Sequence, residues 1–270
     1  MVDGLDVNIW DVTGKPHRVR SLHKTAPAGA GNALRYNTSG SLLAVGHTLD
    51  NEENGFGLIR LWDPRSGALV HDIAEPSGAS DEMDFAFSPD ERYFLRTVGR
   101  GLPPGNSFVV QRTDTWATVW GLDTNPLWAR ALALSTDGRF VALGGLVPVY
   151  DGLPIRLHPR IVIVDLQSRQ IVLTIELPFP DGNEIQKLEF SPDGESLAAA
   201  AVVGGSFPGP NAVKIFDPTT GTEKVVEPAT RHSSMGSITA PMASISWRAG
   251  SKITFASGID SIRNYCKRFR

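Results

Sequence analysis

The sequence predicts an all-β fold, a β-propeller of four-stranded antiparallel blades, and three observations lead to this prediction. A hairpin pattern recurs five times along the 270 residues, and each copy is preceded or followed by a second strand pair. The copies are evenly spaced, and no stretch of ten or more residues combines helical periodicity with helix caps. Sheets repeated at such a period are stable when each packs on its neighbours around an axis. We therefore expect about five blades, or part of a ring of six or seven.

The first strand pair of each repeat is an apolar strand, a tight polar turn and a second apolar strand. Most of the turns contain Pro, Asp or Gly, which preset φ or accept left-handed geometry. The five copies are Leu34 to Gly46, Phe85 to Gly99, Leu132 to Gly145, Leu188 to Ala201 and Ile245 to Gly258. Each copy is predicted to be a β-hairpin.

The second strand pair starts with an alternating strand that usually ends in aspartate. Its copies begin at Val7, Ile59, Val109, Ile161 and Val213. The aspartate slot is occupied by Asp11, Asp63, Thr113, Asp165 and Asp217, which are separated by 52, 50, 52 and 52 residues. A degraded sixth copy from Ser261 puts Cys266 in this slot. The even spacing indicates a structural repeat with four strands per period.

The chain begins and ends within a repeat, so we interpret residues 1–270 as a single propeller domain with partial repeats at both ends. If the pair from Val7 to Leu22 completes the sheet begun by Ile245 to Gly258, five blades close with a clasp of two plus two strands. Such a clasp would remove exposed sheet edges. The alternative is that the chain forms part of a six- or seven-bladed ring.

Composition narrows the classes of partner. The 26 basic and 29 acidic residues give a net charge of -3, which disfavours nucleic acid and anionic membrane surfaces as partners. The single cysteine cannot form an intrachain disulfide, and the N-terminal residues lack the pattern of a secretory signal. No window approaches the ~18 apolar residues of a membrane helix. We therefore expect a cytoplasmic protein with no membrane partner.

Loop lengths point to one end of the predicted blades. In a meander, successive connections alternate between the two ends of the sheet, so tight turns and long connections separate. We name the end with the long connections the long-loop face. Its loops run about from His47 to Gly57, Arg100 to Ser107, Leu146 to Arg160 and Val202 to Asn211. Because long loops on a rigid scaffold often carry recognition residues, we predict that this face binds a partner.

Aromatic and charged side chains on the long-loop face are the candidate partner contacts, since large aromatics and arginine are enriched at interface hot spots. The aromatic candidates are Trp128, Tyr150, Phe179 and Phe207. The charged candidates are Arg100, His158, Arg160, Arg231 and His232. The competing interpretation is that the aromatics fold back to anchor their own loops.

Signatures of catalysis and metal binding are not found. The sequence has no Gly-x-Ser-x-Gly elbow, HExxH, P-loop or cysteine-histidine metal spacing. Asp50 to Gly55 matches the start of a calcium loop, but its twelfth position is Leu61 instead of glutamate. We expect no catalytic, metal or cofactor site. Since a propeller can gather distant residues in its channel, the alternative is a hydrolase or lactonase-like enzyme using residues such as Asp50, His158 and His232.

Two WD dipeptides, Trp10-Asp11 and Trp62-Asp63, together with the SPDG turn at 191–194, resemble the bacterial WD-repeat (WD40-like) family with degenerate repeats. The resemblance covers nearly the whole chain. The family's Gly-His pair and tight-turn aspartate are not recognisable, so Trp10 and Trp62 are interpreted as core or near-core packing residues. The SPDG turn also resembles the propellers of prolyl oligopeptidases, which carry a separate hydrolase domain.

The resemblance implies a function as well as a fold. Bacterial WD-repeat propellers commonly serve as non-catalytic scaffold or sensor modules that bind a protein or peptide, often as part of a larger multidomain assembly. We therefore expect a protein-protein interaction module that uses its long-loop face.

Overall fold

The computed structural model describes residues 7–22, 31–49, 56–74, 84–98, 107–124, 127–151, 156–177, 184–202, 211–224, 243–248 and 252–257. The described residues form twenty β-strands and no helix. The chain divides into two compact units, residues 1–130 and 131–270, and the boundary falls within the eleventh strand.

The first unit contains a two-stranded sheet and two complete blades. The two-stranded sheet pairs β1 (Val7–Asp11) with β2 (His17–Leu22). The first blade has β3 (Gly31–Tyr36), β4 (Leu43–Leu49), β5 (Phe56–Trp62) and β6 (Leu69–Ala74) in that spatial order. The second blade has β7 (Phe85–Phe87), β8 (Tyr93–Thr97), β9 (Phe108–Arg112) and β10 (Thr118–Leu122).

Two more blades and a hairpin follow. The third blade has β11 (Trp128–Leu134), β12 (Phe140–Val149), β13 (Arg156–Asp165) and β14 (Gln170–Glu176), with the unit boundary inside β11. The fourth blade has β15 (Glu184–Phe190), β16 (Leu197–Val202), β17 (Asn211–Phe216) and β18 (Glu223–Lys224). A two-stranded sheet of β19 (Ala243–Arg248) and β20 (Lys252–Ser257) completes the described strands.

The predicted fold class is confirmed: the chain is an all-β propeller of four-stranded antiparallel blades, four of which are complete among the described residues. Both strand pairs of all five predicted copies are present as sheet neighbours. The N-terminal pair and the C-terminal hairpin are each a two-stranded sheet, so the clasp between them stays a prediction. The sixth copy from Ser261 lies outside the described residues.

The aspartate slot marks the turn into the outermost strand of each sheet. Asp63, Asp165 and Asp217 each accept, on Oδ1, the backbone N–H two residues later at 2.8 Å. In the second blade, the equivalent turn closes when Trp116 donates its backbone N–H to the Arg112 carbonyl at 2.8 Å. Arg112 therefore occupies the slot, and the prediction of Thr113 is wrong by one residue because the aspartate of this copy, Asp114, lies within the turn and not at its first position.

The same outer strands share a β-bulge. In the terminal strands β2, β6, β10 and β14, the register shifts so that one valine has no residue opposite it. These valines are about half exposed, and they are Val19, Val70, Val119 and Val172. A bulge bends the strand and disturbs its open edge, which protects an outer strand against pairing with other chains. The repeated valine is thus an edge feature rather than part of a core.

Apolar side chains pack between adjacent sheets of each unit. In the first unit, Phe85 and Phe94 of the second blade pack with Ile59 of the first. Trp62 is buried against Leu22 of the preceding sheet, as interpreted from the sequence. The same interpretation is wrong for Trp10, which is 53% exposed. Because side chains alternate along a strand, Trp10 lies on the opposite face from Val7 and Ile9, which pack on the first blade.

Candidate functional site

The connection between β12 and β13 is a long β-ribbon. Both strands have ten residues, and their pairing is continuous from Phe140↔Asp165 to Val149↔Arg156. The sequence predicted a loop from Leu146 to Arg160, and this is wrong for most of that stretch, since only residues 150–155 connect the strands. Val147 and Val149 continue the alternating β pattern, which prolongs the ladder. We call residues 146–160 the ribbon.

The ribbon extends beyond the ends of its neighbouring strands. The pairing of β13 with β14 starts at Arg160↔Glu176, and the Pro159 carbonyl still accepts the Leu177 backbone N–H, so Arg156 to His158 lie beyond that ladder. On the other side, β11 has seven residues against ten in β12, so the last residues of β12 pass its end. The tight turn between β11 and β12 lies at the far end of the sheet. The ribbon therefore extends from the long-loop end of the third blade.

Tyr150 follows the last residue of β12 at the ribbon tip and is 73% exposed. Next to it, Asp151 forms an ion pair with Arg156, whose Nε donates to Asp151 Oδ1 at 3.3 Å. This ion pair spans the connection near the tip. Tyr150 is therefore the predicted contact residue that the structure exposes most clearly.

His158 and Arg160 lie within β13 instead of on a loop, and both side chains are half-buried. Because they alternate with Leu157 and Pro159, they share one face of the ribbon with Arg156. Arg160 Nη2 is 2.7 Å from Glu176 Oε1, its cross-strand partner on β14. Arg160 Nε is buried without a hydrogen bond in the described residues. Arg156, His158 and Arg160 thus form a row of three side chains, which we call the basic row.

Of the remaining predicted contacts, the structure describes only Trp128. Trp128 is the first residue of β11 and is half-buried, so it belongs to a strand rather than to a loop. The other candidates lie outside the described residues, and they are Arg100, Phe179, Phe207, Arg231 and His232. The structure therefore brings together Tyr150, His158 and Arg160 on one ribbon. Arg156 was missed from the sequence, although its spacing to His158 and Arg160 has the period of a strand.

The tight-turn end of the blades has a different chemistry. In the second, third and fourth blades, a serine hydroxyl donates to an aspartate Oδ1 at 2.5 Å, in the pairs Ser88–Asp90, Ser135–Asp137 and Ser191–Asp193. This hydrogen bond lowers the pKa of each aspartate from its usual range, because it stabilises the charged form. Each carboxylate also accepts a backbone N–H of its own turn. These perturbed carboxylates shape turns and form no shared site.

Metal-ligand clusters and membrane-crossing helices are both missing from the described part of the chain. No group of three or more His, Cys, Asp or Glu side chains is placed to hold a metal ion there. Of the residues named for a channel site, only His158 lies within the described ranges. Within those same ranges, no helix is long and apolar enough to cross a membrane.

Comparison with known proteins supports the fold alone. No protein-family model matches the chain, and no curated protein matches it by sequence. Among solved structures, it is similar to hydrazine synthase of Kuenenia stuttgartiensis, with a TM-score of 0.54 and 15% sequence identity. The match covers 74% of this chain and 54% of the other, so it spans about half the length of that protein. At this identity the likeness is one of propeller architecture.

Proposed function

We propose that this chain is a non-catalytic interaction module of the WD-repeat type that binds a protein or peptide through its long-loop face. The observation that carries the proposal is Tyr150, which is 73% exposed at the tip of a continuously paired ribbon. Tyrosine contributes a large contact area with few rotatable bonds, so its ordering on binding costs little entropy. A rigid ribbon lowers that cost further, because the contact surface is pre-organised.

The ion pair next to the tip supports the same proposal. Asp151 and Arg156 bridge the two ends of the connection, and both are about half exposed. Residues 146–149 of β12 pair with 156–159 of β13, which keeps the tip close to a fixed ladder. The expected partner therefore meets a small, pre-formed tip with an aromatic centre and a charged rim, the usual anatomy of a hot spot.

Site-specific photocrosslinking tests the proposal. Tyr150 is replaced by p-benzoyl-phenylalanine, the protein is irradiated in native lysate, and covalent adducts are identified by mass spectrometry. The matched control places the same group at Tyr36, which is 46% exposed and adjoins the tight turn of the first blade. A discrete adduct from position 150, missing from position 36, is the expected result. Circular dichroism and thermal melting confirm that both proteins are folded.

An alanine variant then measures how much Tyr150 contributes to the affinity for the cross-linked partner. With the cross-linked partner purified, Y150A is expected to weaken its binding by ~2 kcal/mol or more, the usual threshold for a hot spot. Y36A should leave the affinity unchanged. Equal adducts from both positions, or full affinity of Y150A, would remove the long-loop face from the proposal.

A further inference from the structure

We propose that the N-terminal sheet of β1 and β2 is a second interaction surface, which binds an acidic protein segment through Trp10 and Arg18. The surface is the face of this sheet that points away from the first blade, and we call it the tryptophan face. Its members are Asn8, Trp10, Arg18 and Ser21. The inference does not rest on the long-loop face, because it concerns a different element of the chain.

Hydrogen bonds and strand register place these four side chains on one face. Ser21 Oγ donates to Asn8 Oδ1 at 2.7 Å, and Arg18 Nη1 donates to the same oxygen at 3.4 Å. Trp10 is directly opposite Arg18 in the ladder, and opposite residues point to the same side of a sheet. The alternate residue Ile9 points to the other side, where it packs on the first blade. The tryptophan face is therefore directed away from that blade.

Trp10 is exposed in a position that is buried in the other repeats. The residue before the aspartate slot is Trp62, Val164 or Phe216 in three later repeats, and these side chains are 7%, 0% and 2% exposed. Trp10 is 53% exposed. A partner that covers this indole removes apolar surface from water, which is favourable, and tryptophan is enriched among interface hot spots. Trp10 is thus the expected anchor of the surface.

The cations of the N-terminal sheet form no ion pair among the described residues. Arg18 donates to a neutral amide oxygen, and Arg20 donates to two backbone carbonyls of the first blade. Lys15 is exposed in the turn between the two strands. Segment 7–22 contains these three cations and one aspartate, Asp11, which accepts the hydrogen bonds of its own turn. Because a partner's carboxylate would replace no existing ion pair, charge complementarity favours an acidic partner.

A protein segment fits this surface better than nucleic acid does. Affinity for nucleic acid comes mainly from contacts of many cations with phosphates, whereas the tryptophan face has Arg18 alone and the whole chain has a net charge of -3. Opposite residues of a ladder have Cβ atoms about 4.5–5.5 Å apart. Neighbouring residues of one segment can therefore place an apolar side chain on Trp10 and a carboxylate on the guanidinium of Arg18, which accepts it in bidentate geometry.

A random-peptide display selection with the full chain as bait tests this inference. Selected peptides are measured by fluorescence anisotropy against the parent, W10A, R18E and the controls Y36A and R92E. Tyr36 and Arg92 are exposed and lie at or beside tight turns of the first two blades. We expect a class of peptides with Asp or Glu next to an apolar residue. These should bind W10A on the order of thirtyfold and R18E on the order of tenfold more weakly than the parent.

The controls should bind these peptides with the parent's affinity. Raising the salt from about 0.1 M to about 0.5 M should weaken binding to the parent, because an exposed charge contact is screened. Thermal melting confirms that every variant is folded. Since Trp10 is partly buried, R18E provides the second test if W10A melts early.

The remaining outcomes separate this inference from the proposed function. Peptides that lose affinity with W10A, lack acidic residues and bind R18E like the parent would overturn the acidic chemistry. Tighter binding of a single-stranded DNA probe than of the peptides, lost in W10A, would assign the face to nucleic acid instead. If the selection yields only peptides that depend on Tyr150, this inference falls and the long-loop face stands. Peptides that depend on Trp10, without any adduct from position 150, would give the reverse result.

Discussion

Glu91 and Ser39 join the tight turns of the first two blades. The Glu91 carboxylate accepts hydrogen bonds from the Ser39 backbone N–H and, at 3.0 Å, from the Ser39 hydroxyl, and Asn37 Nδ2 donates to it at 3.0 Å. Glu91 has a φ of 59°, in the left-handed region, whereas the equivalent turn position is glycine at Gly40 and Gly138. A side chain in this region costs about 1 kcal/mol. The hydrogen bonds to the neighbouring turn offset that strain.

Two replacements of Glu91 should distinguish the stabilisation by its side-chain hydrogen bonds from the cost of its backbone strain. E91A removes the three hydrogen bonds and keeps the strain, so we expect a loss of about 1–2 kcal/mol in the free energy of unfolding. E91G also removes the bonds but relieves the strain, and its loss should be smaller by about 1 kcal/mol. Urea denaturation followed by circular dichroism measures both. An E91G variant more stable than the parent would show that the bonds contribute less than the backbone strain costs.

Gly144 of β12 lies close against the fourth blade. A Cβ at this position would lie 2.9 Å from Ile185 Cγ2 and 3.0 Å from Leu188 Cδ1, both buried. G144A should therefore destabilise the protein by about 1–3 kcal/mol through overpacking. Gly14 is the control, because a Cβ there meets nothing within 4 Å and its φ is not positive. Thermal melting should leave G14A near the parent, and equal melting of both variants would contradict the packing argument.

The sequence predicts the strand pairs well because each of them has its own local signal. Alternating apolar residues and Asp-Gly or Pro-Asp turns specify a hairpin without reference to the rest of the chain. The signal fails in the second blade, where Arg112 takes the place of aspartate and the copy was assigned one residue late. A turn that lacks its capping side chain has no marker in the sequence, although the surrounding ladder still forms the turn.

The site was predicted less completely than the fold. Pro148, Pro154 and Pro159 made residues 146–160 resemble a loop, since proline is rare inside sheets. Proline is accepted where its nitrogen points away from the paired strand. Which residues point that way depends on the alternation of hydrogen-bonded and non-hydrogen-bonded pairs along the ladder, and the sequence of a single strand does not reveal this alternation. Trp10 and Trp62 show the same limit. They share a motif and differ in burial because their sheets differ in what packs on them.

His71 of β6 and Trp116, in the turn before β10, connect the outer parts of the first two blades. Their rings are stacked with centroids 5.0 Å apart and planes at 10°, and Trp116 also meets Phe94 edge-on at 6.0 Å. H71A should cost about 0.5–1.5 kcal/mol, the range for aromatic pairs beyond their area burial. H17A is the control, because His17 is exposed in the N-terminal sheet. Equal stabilities of H71A and the parent in urea denaturation would show that the stack is energetically neutral.

The serine–aspartate turns predict a dependence of stability on pH. The serine hydroxyls lower the pKa of Asp90, Asp137 and Asp193 in the folded protein, relative to about 4 when unfolded. The unfolded chain therefore binds more protons between the two values, and stability must fall as pH drops through the folded pKa values. Above the unfolded value this contribution is fully present.

The variant D90N/D137N/D193N tests this dependence, because asparagine retains a carbonyl acceptor for each turn but does not ionise. At neutral pH it should be less stable than the parent, since the charge-assisted hydrogen bonds are the stronger ones. The difference should shrink as pH falls from about 4 through the lowered folded pKa values, where the parent carboxylates become protonated in the folded protein as well. Urea denaturation between about pH 7 and pH 2 gives both curves. Parallel curves across this range would mean that these aspartates titrate alike in the folded and unfolded protein.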